Sequence, residues 1–226
     1  MKFVAGGKVR RTAGLGAALA LTVTGLGLLG ASGAAAAPAS GTSATAATAL
    51  SRTQLLTIAQ VKQADARRKW STQVDRGVLP RVYCGPASTE GKRVSARMAR
   101  GFTDELDAYG AQYVSQYANA ATARAAYNSV IATLKSCTYS KPAPTHARKI
   151  TENRVVKGAS GDLTQVIRWY DYPKPNDPGS EAGGFPYAVT LKGRNVSVLA
   201  FSEMGPGVPA PNFDKLARLA AAKLPR

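Results

Sequence analysis

The most regular pattern in the chain is a run of apolar residues at every third or fourth position after Asn119. This spacing places the apolar side chains on one face of a helix, and Asn119 is a residue type that caps helix N-termini. Cys137 lies on the same face, so we expect the end of the helix to be anchored in the core. The face comprises Ala123, Tyr127, Val130, Ile131 and Leu134.

Other segments alternate apolar and polar residues, which predicts β-strands. Residues 185–191 place their apolar side chains on one face, and a turn at 192–195 joins them to 196–201 as a hairpin. A capping-box sequence at Ser51 predicts a first helix that extends to Lys69. The remaining predicted elements are strands at 94–99, 109–117, 153–156 and 163–170 and a closing helix from Asn212.

These elements follow one another as helix, strands, helix, strands and helix, and no βαβ unit is repeated. This order predicts an α+β fold in which an antiparallel sheet has flanking helices.

Residues 1–39 show the three zones of a secretory signal peptide: a basic start, an uncharged apolar run, and small residues before a cleavage site. We expect cleavage after Ala39, with cleavage after Ala36 as the alternative. An uncleaved membrane anchor is disfavoured because Ala and Gly are weakly hydrophobic. Arg10 and Arg11 raise twin-arginine export as an alternative to general secretion, which we favour.

Two further regions follow the predicted signal peptide. Residues 40–50 are rich in Ala, Ser and Thr without charge or periodicity, and they predict a disordered lead-in. Residues 51–226 predict one secreted, extracellular domain with no transmembrane anchor after cleavage.

The chain carries 30 basic and 13 acidic residues, a formal charge of +17 at neutral pH. The predicted signal peptide holds four of the basic residues, so the secreted chain keeps +13. The basic residues are scattered and no zinc-finger, helix-turn-helix or RNP pattern accompanies them, which argues against a specific nucleic-acid partner. A solvated surface and attraction to an anionic cell-wall polymer or membrane surface are the two explanations that remain.

Two cysteines, Cys84 and Cys137, follow the predicted export signal, and no metal-ligand partners lie near them. An oxidising compartment and an even number of cysteines favour one disulfide between them.

Residues suited to catalysis are sparse. His146 is the single histidine and no nucleophile motif accompanies it, so we interpret it as a loop residue and expect no catalytic residues. One histidine and two bonded cysteines leave too few ligands for zinc, and we expect no metal and no cofactor. Paired carboxylates leave a hydrolase as the lesser alternative. The two carboxylate groups are Asp104, Glu105 and Asp107, and Asp171, Asp177 and Glu181.

Several segments occur in an order that is typical of one family. They are Leu55-Leu56-Thr57, a Tyr/Gln-rich strand leading into 120–127, Leu134-Lys135-Ser136-Cys137, a strand with Trp169, the hairpin strand at 196–198, and an Ala/Leu/Lys-rich C-terminal helix. From Ser51 to the C terminus, this order resembles the PknH-like extracellular sensor domain of actinobacteria, which also occurs as stand-alone secreted proteins. The resemblance implies an antiparallel α+β domain that binds a ligand in an open cleft beside its sheet.

If such a cleft exists, the more polar strand faces form its walls. Gln112 and Gln116 share a face of one strand, and Arg168 and Tyr170 share a face of another. We predict these four as ligand-binding residues, with Arg168 holding an anionic group of a small extracellular ligand. The expected function is non-enzymatic binding or sensing. A secreted interaction protein, such as a protease inhibitor or wall-associated factor, is the alternative.

Overall fold

The computed structural model describes residues 49–74, 84, 94–138, 140–158 and 162–225. The predicted signal peptide and nearly all of the predicted lead-in lie outside these ranges, so both stay predictions. No helix within the described ranges is long and apolar enough to span a bilayer.

The strands of the described ranges form one antiparallel sheet. They are β1 (Ser71–Val74), β2 (Val94–Thr103), β3 (Tyr109–Tyr117), β4 (His146–Lys157), β5 (Leu163–Pro173), β6 (Gly183–Lys192) and β7 (Asn195–Met204). Their order across the sheet is β1-β2-β3-β7-β6-β5-β4. Strands β4 to β7 therefore form a meander that starts at the far edge and returns to pair with β3.

Three α-helices complete the described fold: α1 (Ile58–Ala64), α2 (Ala120–Ser136) and α3 (Ala210–Lys223). Helix α2 carries the chain from β3 in the middle of the sheet to β4 at its edge. That distance is four strand spacings, about 19 Å, and a helix of 17 residues is about 26 Å long. Its first turn is capped by Asn119, whose Oδ1 accepts a hydrogen bond from the Thr122 amide at 2.8 Å.

Both faces of the central strands are covered. On one face, which we call the α2 face, Tyr113, Tyr117 and Tyr187 pack with the apolar stripe of α2. On the opposite face, which we call the α3 face, Leu199 and Phe201 pack with α1 and α3. The apolar residues that these helices contribute are Ala123, Ala126, Val130 and Leu134 from α2, Val61 and Ala64 from α1, and Phe213, Leu216, Ala217 and Ala220 from α3.

The predicted α+β class and the disulfide are confirmed. Cys84 and Cys137 are bonded, and both are buried beside the α2 face. The Cys84 amide donates a hydrogen bond to the Tyr187 hydroxyl at 3.1 Å. Cys137 ends α2 in a left-handed backbone conformation, so the bridge fixes the C-terminal end of the helix to the core.

The first helix was predicted too long at both ends: the capping box at Ser51 opens a short 3₁₀ helix, Arg52–Gln54, and α1 begins at Ile58 and ends at Ala64, not at Lys69. The Asp65 carboxylate accepts hydrogen bonds from Arg67 and from the indole of Trp70, and these contacts turn the chain away from the helix axis. The segment then enters β1, an edge strand that the alternation pattern did not predict.

Other boundaries differ from those predicted, including those of β5, β6 and β7, which extend beyond 163–170, 185–191 and 196–201. Strands β2 and β4 extend beyond the predicted segments, and α3 begins at Ala210 and not at Asn212. His146 is therefore not in a loop but is the first residue of β4, and its Nε2 lies 2.8 Å from the Glu181 carbonyl oxygen.

The disulfide closes a long loop, because its cysteines are 53 residues apart. Replacing both Cys84 and Cys137 with Ala lowers the free energy of unfolding by about 4 kcal/mol in the chain-entropy description. Urea denaturation of the secreted chain measures the change. A double variant that is as stable as wild type contradicts a structural role for the bridge.

Candidate functional site

The four predicted ligand-binding residues all lie on the α3 face, but the sheet does not bring them together. Gln112 and Gln116 lie on β3, whereas Arg168 and Tyr170 lie on β5. Strands β7 and β6 separate the two pairs, which places them three strand spacings apart, or about 14 Å.

Both glutamines are buried and hydrogen-bonded within the protein. Gln112 is fully buried, and its Oε1 accepts a hydrogen bond from the Leu56 amide at 2.6 Å. Gln116 donates to Asn195 Oδ1 at 3.2 Å. These contacts tie the segment before α1 and the β6–β7 turn to β3, which is a structural role for both side chains.

Arg168 is also buried, with 6% of the residue exposed. Its Nε donates to Glu152 Oε1, and its Nη1 donates to the Val208 carbonyl oxygen at 2.8 Å. Arg154 joins Glu152 to Asp214 of α3. These contacts connect β4, β5 and the start of α3, while the buried Nη2 of Arg168 has no hydrogen-bond partner among the described residues.

Tyr170 is half-buried and is the most accessible of the four predicted residues. Its ring stacks near the ring of Tyr172, with centroids 6.3 Å apart, and Lys149 lies over Tyr172 at 5.1 Å.

A different group of charged side chains meets at the end of the sheet where β2 turns into β3. We call it the carboxylate cluster: Asp65, Arg67, Arg68, Asp104, Asp107 and Glu203. Three segments that are distant in sequence supply it, namely the connection between α1 and β1, the β2–β3 turn, and the end of β7.

Arg68 lies at the centre of the carboxylate cluster. Its Nη1 is 2.6 Å from Asp104 Oδ2 and 2.7 Å from Asp107 Oδ1, and its Nε is 3.2 Å from Glu203 Oε2. A single guanidinium group therefore joins the β2–β3 turn to β7. Burial alone would lower the pKa of Arg68, but the hydrogen bonds to Asp104 and Asp107 and the charge of Glu203 raise it above its usual value.

Arg67 covers two buried carboxylates from the solvent side. Its Nε is 2.7 Å from Asp65 Oδ1, and its Nη2 is 3.5 Å from Glu203 Oε2. The Arg67 side chain is 49% exposed, whereas those of Asp65 and Glu203 are 0% and 1% exposed. Arg67 is thus the solvent-facing partner of acids that do not themselves reach water.

Aromatic side chains pack next to the carboxylate cluster and exclude water from it. Trp70 donates its indole N–H to Asp65 Oδ2 at 3.3 Å, and its ring packs edge-on against Phe201 at 5.2 Å. Phe201 in turn packs against Phe102 and Phe213. Carboxylates in such surroundings lose hydration, which disfavours their charged form.

The pKa values of Glu203 and Asp104 are shifted in opposite directions. Burial raises the pKa of Glu203, and the charges of Arg68 and Arg67 only partly offset burial and the neighbouring charge of Asp65. Burial would also raise the pKa of Asp104, but hydrogen bonds from the Ala108 amide, the Arg68 guanidinium and the Leu106 amide lower it below its usual value. Asp104 is therefore held ionised, and Glu203 is the acid that is poorly compensated.

Glu203 also has an unsatisfied oxygen. Its Oε2 faces Arg67 and Arg68, but its buried Oε1 has no hydrogen-bond partner among the described residues. Leaving a buried polar atom unpaired costs free energy, and charged groups cost most. Glu203 Oε1 is thus a buried acceptor that no donor among the described residues satisfies.

The segment that follows β7 crosses β6 at Gly184, between the carboxylate cluster and Tyr170. Gly184 of β6 pairs with Tyr170 on one side and Glu203 on the other. A Cβ at Gly184 would lie 2.5 Å from the Pro206 carbonyl oxygen, so only glycine lets the segment after β7 cross here. Gly205 and Gly207 turn this segment with positive φ angles of 73° and 77°.

The second predicted carboxylate group does not form a comparable site. Asp171 is buried and makes a two-pronged ion pair with Arg148, at 2.6 Å and 2.7 Å. Arg148 also contacts Cys137 Sγ at 2.8 Å, so this pair belongs to the support of the disulfide.

The sequence pattern placed Asp104 and Asp107 in a turn, but it did not single out Glu203. A signal was present, because Glu203 follows Leu199 and Phe201 at the spacing of inward-facing residues on β7. An acid at an inward position requires a partner. Asp65, Arg67 and Arg68 were assigned to a helix end, and only the shortened α1 turns them toward β7.

Comparison with known proteins supports the fold. The structure is similar to the crystal structure of the extracellular domain of PknH from Mycobacterium tuberculosis, with a TM-score of 0.51 and 14% sequence identity. The likeness covers 75% of this chain and 92% of that chain. No family model and no curated protein matches the chain. At this identity the likeness establishes a shared fold, and the predicted family membership stays a prediction.

Arg168 offers a test of its structural role. Arg168→Ala leaves Glu152 partly buried with one partner fewer, and we expect the free energy of unfolding to fall by about 3 kcal/mol. The matched control is Arg218→Ala on the exposed side of α3, which changes it by less than about 0.5 kcal/mol. If Arg168→Ala melts as wild type does, the pair with Glu152 is not structural and the predicted anion-binding role regains support.

Glu203 predicts a distinctive pH dependence. Because its folded-state pKa is raised, its contribution to stability is complete below the unfolded-state pKa of about 4.3 and is lost as pH rises through the folded-state pKa. Glu203→Gln should therefore melt at or above the wild-type temperature at neutral pH, and the difference should vanish toward pH 4. The control is Glu105→Gln in the β2–β3 turn, where the side chain is 74% exposed, and it should show no such trend. The assignment is contradicted if Glu203→Gln melts below wild type at neutral pH and this deficit is smaller at pH 4.

Proposed function

We propose that this chain is a non-catalytic extracellular domain that binds or senses a ligand at the carboxylate cluster. The observation that carries the proposal is the unpartnered, buried oxygen of Glu203 at the end of a sheet whose fold is similar to an extracellular domain. A ligand that reaches this oxygen would satisfy an acceptor that the described protein leaves open.

The contacts of the cluster favour binding over catalysis. A carboxylate that transfers protons must be free to gain and lose them near its working pH. Asp104 and Asp107 are both held by Arg68, and the pKa of Asp104 is lowered, which makes it a poor proton donor. Glu203 has a raised pKa, but its Oε2 is held by Arg68, which lies between it and Asp104.

Secretion is part of the proposal. The signal-peptide pattern in residues 1–39 and the disulfide are what an exported protein has. The similar fold belongs to an extracellular domain in the protein where it was solved.

A thermal-shift screen of the purified secreted chain tests the proposal. The panel contains polyamines, basic dipeptides, phosphorylated sugars and soluble peptidoglycan fragments, each at millimolar concentration. We expect at least one compound to raise the unfolding midpoint in proportion to its occupancy and to be recovered with unchanged mass. A compound whose mass changes, with the change lost in Asp104→Asn, would establish a hydrolase instead. A midpoint that no compound moves counts against a binding domain.

A further inference from the structure

We propose that the ligand of the carboxylate cluster carries an organic cation, an ammonium or guanidinium group, which takes the position that the Arg67 guanidinium occupies in the free protein. This inference rests on the proposed function and names the chemical class that the site recognises.

The charge of the cluster favours a cation. Four carboxylates face two guanidinium groups, so the cluster is formally −2 when all of its members are ionised. Within the described residues, a further ion pair at this end, between Lys69 and Glu105, is exposed and neutral overall. This excess of acid stands out in a chain with a formal charge of +17. A basic protein that concentrates acids at one point attracts cations there and repels them elsewhere.

The atom of the carboxylate cluster that lacks a partner is a hydrogen-bond acceptor. Glu203 is 97% buried, and its Oε1 lacks the hydrogen-bond donor that a buried carboxylate oxygen needs. Ammonium and guanidinium groups carry only donors, and their hydrogen bonds to carboxylates are among the strongest in proteins. An anionic or purely apolar ligand would leave Oε1 unsatisfied.

Arg67 marks where the cation binds. Its guanidinium contacts Asp65 Oδ1 at 2.7 Å and Glu203 Oε2 at 3.5 Å but does not reach Oε1, and its side chain remains half-exposed. A cation that is not tethered to the chain can approach both oxygens of Glu203 from this position. Arg68, by contrast, is 18% exposed and joins three carboxylates, so it belongs to the frame of the site. A ligand cation can therefore replace Arg67 without dismantling the connection between the β2–β3 turn and β7.

The surroundings favour an organic cation over a metal ion. Among the described residues, no group of three or more potential ligands is arranged to hold a metal. Leu106 in the β2–β3 turn is an exposed apolar side chain at the same end of the sheet. It provides contact area for a hydrocarbon portion of the ligand.

Agmatine, which carries a guanidinium and an ammonium group on a short hydrocarbon chain, is the probe. We titrate it calorimetrically into the secreted wild-type chain, Arg67→Ala, and Arg67→Ala combined with Glu203→Gln. Removing the internal competitor should raise the affinity for agmatine at least tenfold, and adding Glu203→Gln should lower it again by about ten- to a hundredfold. Glu105→Gln in the Arg67→Ala background is the matched control and keeps the gain.

The stability of the variants supplies a second readout. Arg67→Ala removes an ion-pair partner of Asp65, so the unfolding midpoint of this variant should be lower than that of wild type. Agmatine should restore the midpoint, and citrate should not. If Arg67→Ala does not fold, Arg67→Gln replaces it, because Gln retains a donor near Asp65.

Three results overturn the inference: unchanged agmatine affinity in Arg67→Ala, an affinity that Glu203→Gln does not reduce, or stabilisation by citrate in place of agmatine. These results differ from failure of the proposed function. If a panel compound stabilises wild type and Glu203→Gln equally, the proposal of a binding domain stands and the cation site at Glu203 is wrong. If agmatine binds at Glu203 and is chemically changed, the cation site stands and the proposal of a non-catalytic domain is wrong.

Discussion

The structure depends on one constraint: the central strands are covered by helices and apolar side chains on both faces, so a charged group on them cannot reach bulk water. Each such group must find an opposite charge or hydrogen-bond partner within the protein, because an unpaired buried charge is costly. Arg168 on β5 meets Glu152, Asp171 on β5 meets Arg148, and Glu203 on β7 meets Arg68. The first two pairings are between cross-strand partners of β4 and β5, whereas the pairing of Glu203 with Arg68 connects β7 to a segment with which it has no backbone pairing.

The three pairings differ in how completely they balance charge. Asp171 has both oxygens held by Arg148, and that pair supports the end of α2 beside the disulfide. Arg168 and Arg154 are matched by two acids, Glu152 and Asp214. Among these three sites in the described part of the chain, the carboxylate cluster is the one with more acids than guanidinium groups, and one Glu203 oxygen is unsatisfied there. The requirement for pairing is thus met at Asp171, but Arg168 Nη2 and Glu203 Oε1 remain without a hydrogen-bond partner.

Folding leaves the Glu203 carboxylate incompletely compensated. Burial raises its pKa at the end of β7, in the part of the α3 face where Trp70 and Phe201 pack against each other. Local destabilisation of this kind is common where a protein must bind, since the ligand then supplies the missing interaction. Arg168, which the sequence pattern favoured as a ligand contact, is held by Glu152 and the Val208 carbonyl oxygen, and its buried Nη2 also has no hydrogen-bond partner among the described residues.

The periodicity of the sequence by itself determined the class of the fold, because strands and helices bury their apolar residues at different spacings. The stripe of α2, its Asn119 cap and the 185–201 hairpin followed from local patterns, and the disulfide followed from an even number of cysteines after a predicted export signal. Tertiary structure decided everything that depends on where distant segments meet. It shortened α1 through the contacts of Asp65, added β1, buried Gln112 and Arg168 beneath other elements, and brought Asp104 and Glu203 to the same guanidinium. Periodicity reports which face of an element is apolar, but it carries no information on which charged side chains face one another across a sheet.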